Sequence, residues 1–89
     1  MKKVIIDAAN FKDKKQMFTH LHAVLGNGNF EGNNLDALHD CLTMIFEPTE
    51  ITVRNYANAK VHLGGYADIF WHVLDDASEE NKNLRIVID

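Results

Sequence analysis

Between Lys15 and Arg54 the sequence has no lysine and no arginine, yet Glu31, Asp36, Asp40, Glu47 and Glu50 all fall in that interval. The stretch from Val61 to Asn81 repeats the pattern, with Asp68, Asp75, Asp76, Glu79 and Glu80 and no Lys or Arg. The cations gather instead at Lys2, Lys3, Lys12, Lys14 and Lys15, and at Arg54, Lys60, Lys82 and Arg85. With a net charge of −4, the chain lacks the basic face that binding to nucleic acid or an anionic membrane requires. Cys41 is the single cysteine, so an intramolecular disulfide is excluded and a reducing, cytoplasmic setting is expected. Long apolar runs are missing too. Val4, Ile5 and Ile6 are too few for a signal-peptide core, and no stretch approaches the roughly 18 apolar residues of a membrane span. What remains is 89 residues of ordinary globular composition, enough for one core and expected to form one domain over residues 1–89.

The apolar patterning alternates between strand and helix. Residues 3–7, KVIID, form a short β-branched run that reads as a buried strand. From Lys14 to Leu25, the residues Met17, Phe18, Leu21, Val24 and Leu25 recur at three and four, which predicts one apolar stripe of a helix. GNGNFEGNN, residues 26–34, is a loop composition in which left-handed backbone is readily adopted. A second helix is predicted over 34–45, with Leu35, Leu38, Leu42 and Ile45 as its core stripe, Cys41 beside them and Pro48 closing the segment. EITVR, 50–54, alternates like a strand. Residues 55–63 are ambiguous, with a short helix as one reading. After Gly64-Gly65, residues 66–81 carry the longest helical pattern, with Tyr66, Ile69, Phe70, Val73, Leu74 and Ala77 on one face. LRIVI, 84–88, is a final buried strand. Strands separated by helices imply an α/β fold with a parallel sheet and right-handed crossovers; three strands make it a small sheet with helices packed over it.

On the second helix, Asp36, His39, Asp40 and Thr43 lie opposite the core stripe and should face water. Asp36 sits in the first turn, where the helix dipole favours a negative charge. Asp40 gains little from the dipole, and a like-charge pair at i, i+4 costs an isolated helix about 0.2–0.5 kcal/mol. Asp76 and Glu80 repeat that spacing on the last helix, beside Asp75 and Glu79. These acids read either as a solvated surface serving solubility or as a face whose compensating charge belongs to another molecule. Phe30, in an otherwise polar loop, reads either as a hydrophobic staple against Leu38 or as an exposed anchor for a partner.

Catalytic chemistry finds little support. Asp36, His39 and Asp40 share a face, but no zinc-ligand spacing accompanies them and Cys41 points to the core. His20 and His22, two apart in a helix, diverge. General acid–base work by paired carboxylates needs one of them in an apolar pocket, which an exposed helix face does not provide. GNGNFEG follows a helix and lacks the P-loop lysine. His39, Cys41 and Thr43 form no nucleophile triad. No enzymatic activity, metal or cofactor is expected.

Residues 30–43, FEGNNLDALHDCLT, strongly resemble the signature of the barstar family, small intracellular inhibitors of secreted ribonucleases. That signature is an aromatic loop residue, a Gly, an Asn and a Leu-Asp-Ala-Leu-x-Asp-Cys-Leu-Thr helix, here Phe30, Gly32, Asn34 and Leu35 through Thr43. The KKVII start, the length, the acidic last helix and the closing strand align in order, so the resemblance spans the chain with one gap between Pro48 and Ala67. It implies a three-stranded parallel sheet with helices packed on one side, and a one-to-one complex with a basic extracellular-type ribonuclease formed by a chain that is monomeric when free. In such a complex Asp40 would take the place of the substrate phosphate, opposite the enzyme's arginines and catalytic histidine. Asp36 would meet a second cation and Asp76 a basic residue at the rim, with Glu80 a more remote contributor. Phe30 would stack on the catalytic histidine, and Asn34, His39 and Thr43 would flank these contacts, with Gly32 and Ile45 on the same face. The departures are specific: Phe30 stands where Tyr is common, His39 and Ile45 where Trp is usual, and Asp76 where Glu is usual. The carboxylates persist while the aromatic rim has changed, which implies an inhibitor tuned to a different ribonuclease. The alternative is an acidic interaction or immunity module for another basic toxin or partner.

Overall fold

The three β-branched runs pair as one sheet. β1 (Lys2–Asp7), β2 (Thr49–Arg54) and β3 (Leu84–Ile88) are parallel and lie in the order β1-β2-β3. The computed structural model describes residues 1–25 and 32–89. A 3-10 turn (Ala8–Asn10), α1 (Lys14–Leu25) and α2 (Leu35–Thr43) connect β1 to β2, and α3 (Tyr56–Leu63) and α4 (Gly65–Glu80) connect β2 to β3. Both crossovers step the same way across the sheet, so a shared right hand places their helices on one face.

Burial records that arrangement. Val4 and Ile6 of β1 register with Ile51 and Val53 of β2, all buried, and Leu84 continues the inner face on β3. The outer row Ile5, Thr52 and Val87 is covered by no helix, and Ile5 is 54% exposed. The α/β fold expected from the sequence, a three-stranded parallel sheet with helices packed on one side, is therefore the fold observed. Among the described residues no helix is long and apolar enough to cross a membrane.

Each helix contributes a narrow apolar stripe: Met17, Phe18, Leu21 and Leu25 from α1, Leu38, Cys41 and Leu42 from α2, and Ala67, Phe70, Leu74 and Ala77 from α4. The α4 stripe corrects one expectation. Ile69 was placed on the buried face by spacing, but it is 53% exposed, because the stripe runs through positions 67, 70, 74 and 77 and Ile69 falls off it. Leu35 and Ile45 are only partly buried against the core. Phe11, which belongs to no helical pattern, is fully buried and meets Phe70 edge-on, with ring centroids 5.4 Å apart. The ambiguous segment after β2 is a helix, entered through Asn55 in the left-handed region (φ 58°) and left through Gly64 (φ 57°, ψ −130°), a conformation that favours glycine.

Candidate partner-binding face on α2 and α4

The start of α2 is built by its own neighbours. Gly32 has φ +94°, a backbone conformation that favours glycine, and a Cβ there would come within 3.4 Å of that of Ala37. Nε2 of His22 on α1 lies 2.8 Å from the Gly32 carbonyl and 3.0 Å from Oδ1 of Asn33. A carbonyl only accepts, so this nitrogen carries the proton and ties α1 to the approach to α2. Asn34 is the N-cap: its Oδ1 accepts from the Ala37 amide at 2.8 Å. Gly32 and Asn34, both expected to meet a partner, thus also shape the helix that displays the acids. Phe30 lies outside the described residues.

The far end of α2 is fastened to α4. Asn81, the buried C-cap of α4, donates through Nδ2 to the carbonyls of Leu42 and Ile45, each at 2.9 Å, and its Oδ1 accepts from the Asn83 amide at 3.0 Å. Asn83 in turn donates to the Phe46 carbonyl at 3.1 Å, and its own carbonyl accepts from Thr49 at 2.7 Å. The hydroxyl of Thr43 donates to the Asp40 carbonyl at 3.1 Å. No role for Asn33, Asn81 or Asn83 follows from the sequence, and His22 enters there only as a non-partner of His20. Asn81, the last residue of the helical pattern over 66–81, carries a local hint of capping.

The charges on the resulting face are unevenly matched. His39 Nε2 lies 2.8 Å from Oε2 of Glu80, a pair that bridges α2 and α4. Elsewhere Glu47 meets Lys2, Asp89 meets Arg54, Asp68 meets Lys60 and Glu50 meets Arg85. Such exposed pairs are worth only about 0–1 kcal/mol each, so their placement says more than their strength. Among the described residues, the carboxylates of Asp36, Asp40 and Asp76 have neither an ion pair nor a hydrogen bond, and all three residues are exposed. The structure thus brings Asp36, Asp40, His39 and Thr43 together on α2 and joins them to α4 through Glu80. Ile45 sits lower, half-buried, between the exposed side chains of Met44 and Phe46.

Cys41 is buried, and burial pushes its thiol up, away from the thiolate form that reacts. Among the described residues, no three His, Cys, Asp or Glu side chains converge to hold a metal.

The fold and this face together define a small parallel α/β domain that displays unpaired acids on a braced helix pair. Its whole length, residues 1–89, matches the family model described as Barstar (barnase inhibitor). It is also similar to the "Putative ribonuclease inhibitor YrdF" of Bacillus subtilis (strain 168), 35% identical over 91 residues that span 100% of each chain. The chain belongs to the barstar family.

Proposed function

We propose that the chain inhibits a basic ribonuclease of the secreted type, inside the cell that makes it, by filling the active site one-to-one. Asp40 stands where a substrate phosphate would lie, and Asp36 and Asp76 meet flanking cations. His39, Thr43, Asn34, Gly32 and Ile45 shape the contact around them, and Glu80 reaches the partner only by exchanging His39 for an enzyme cation. The observation that carries this reading is the set of exposed, unpaired carboxylates at Asp36, Asp40 and Asp76, joined on α4 by Glu79 and the half-buried Asp75, on braced helices in a chain whose Glu47, Glu50, Asp68 and Asp89 have cationic neighbours. An enzyme that cleaves RNA must present positive charge in its cleft, and a rigid acidic face is its complement; the family's own barnase–barstar pair is the standard example of such complementarity. The family membership and the name of the Bacillus subtilis relative support the same reading.

The test is a titration. RNA cleavage by barnase and by the basic ribonucleases secreted by the same organism is followed as the chain is added. One of these enzymes should lose activity in proportion to added chain, with an endpoint at one inhibitor per enzyme. If none is bound, and a different basic toxin is captured and neutralised instead, the alternative of a more general immunity module replaces this one.

A further inference from the structure

Met44 and Phe46 are the feature of the acidic end of the molecule that charge does not explain. Phe46 is 85% exposed and Met44 is 60% exposed. Met44 lies four residues beyond Asp40, so it stacks on the same side of α2, one turn further on. Met44, Ile45 and Phe46 line one cleft with Val4 and Leu25, and the ion-paired Lys2 and Glu47 line it too. The segment is held in place rather than trailing: Asn81 grips the Ile45 carbonyl, Asn83 grips that of Phe46, and the Thr49 hydroxyl donates to that of Glu47 at 2.9 Å. An aromatic ring held out to water on a fixed backbone has lost part of its conformational entropy before any partner arrives.

The acidic face also needs such a surface. α2 spans 9 residues, about 14 Å of helix at 1.5 Å per residue, and its outward side is polar. A standard interface takes about 800 Å² from each partner and has an apolar, desolvated core within a polar rim. Carboxylates steer and orient, but they do not supply that core.

We infer that Met44 and Phe46 form an apolar anchor continuous with the Asp40 end of the acidic face, and that the ribonuclease bound there presents an apolar patch beside its cationic cleft. This inference rests on the proposed inhibition and adds a specificity determinant to it: ribonucleases with the same cationic cleft but a polar rim are bound more weakly.

The experiment measures association and dissociation rates of wild type, Phe46→Ser, Met44→Ser and Phe46→Leu against whichever of barnase and the host's secreted ribonucleases the wild type inhibits, at about 0.05 and 0.5 M salt. Phe46→Ser should dissociate about tenfold faster at both salt concentrations with association within about twofold, because apolar anchors act on lifetime and charges on encounter. Met44→Ser should shift the same way by less, and Phe46→Leu should recover most of the lifetime. Unfolding midpoints should match wild type, since neither side chain is in the core. Wild-type dissociation rates for Phe46→Ser, with inhibition intact, overturn the anchor and leave the inhibitor reading standing. A chain that binds none of the enzymes overturns both. Concentration-dependent self-association of the free wild type that Phe46→Ser abolishes would assign the patch to a second copy and overturn the anchor as well.

Discussion

The imidazole Nε2 of His39 lies 2.8 Å from Oε2 of Glu80, and this pair links the two helices that carry the acidic face. Glu80 is therefore an acid with a partner, unlike Asp36, Asp40 and Asp76. Asp36 and Asp40 share the helix of His39, and Asp76 lies one turn before Glu80 on α4.

The pair engages Glu80, so His39→Ala should free that carboxylate for a cationic partner. Association with a basic enzyme should then quicken at low salt and approach the wild-type rate at high salt. Stopped-flow association rates of wild type and variant at two ionic strengths check it; equal rates at low salt would show that the pair plays no part in encounter.

Asp36, Asp40 and Asp76 should separate by kinetics. Asp40→Ala should weaken binding by at least about 2 kcal/mol, the mark of a hot spot, because its loss leaves enzyme cations unmatched at the centre of the contact. Asp36→Ala and Asp76→Ala should act on association, more at low salt than at high, as screened charges do. Affinities and rates at two ionic strengths decide this; an Asp40→Ala variant that titrates like wild type would remove the central role.

Asn81→Ala takes one donor from two carbonyls at the end of α2, one of them in a buried bond. The Leu42 carbonyl keeps a bond from the Ile45 amide at 3.4 Å, but the Ile45 carbonyl loses its donor, a loss that costs about 1–3 kcal/mol. Urea denaturation should show a loss of that size, and the Phe46 segment should lose protection from hydrogen exchange along with it.

Asp7 ends β1 and is held well. Its Oδ1 accepts from Asn55 Nδ2 at 2.9 Å and from the Ala9 amide at 3.0 Å. The Asn55 bond first, then the Ala9 bond, with the charges of Arg54 and His20 behind them, keeps its carboxyl below the usual carboxylate range despite partial burial. A depressed folded-state value means that the stabilisation is complete above the unfolded value, about 3.9, and is lost as pH falls through the lower folded one. Asp7→Asn, which retains an acceptor but cannot titrate, should therefore show a shallower loss of stability on acidification than wild type. Urea midpoints from about pH 5 to about pH 2 measure the difference.

Much of the frame was legible because it is local. The spacing of Met17, Phe18, Leu21 and Leu25 is a property of 3.6 residues per turn, and LRIVI is a strand by its β-branching; both elements appear where the pattern placed them. Ile69 was misread because α4 has apolar residues on more than one side, and spacing alone cannot say which side meets the sheet. Phe11 escaped notice because a ring in a turn has no period, although it is fully buried. On the face, the exposure of Asp36 and Asp40 follows from their position opposite Leu38 and Leu42, whereas the role of Asn34 as helix cap shows in its bond to Ala37.

By itself, then, the amino-acid order determined the alternation of strand and helix, the segregation of acids from cations and the family signature at residues 30–43. Each is a feature of neighbours along the chain. The tertiary structure alone decided that His39 engages Glu80, that Asn81 clasps α2 and that Phe46 is held out to water. Those outcomes depend on how two helices distant in sequence lie across one sheet, and no local periodicity encodes that geometry.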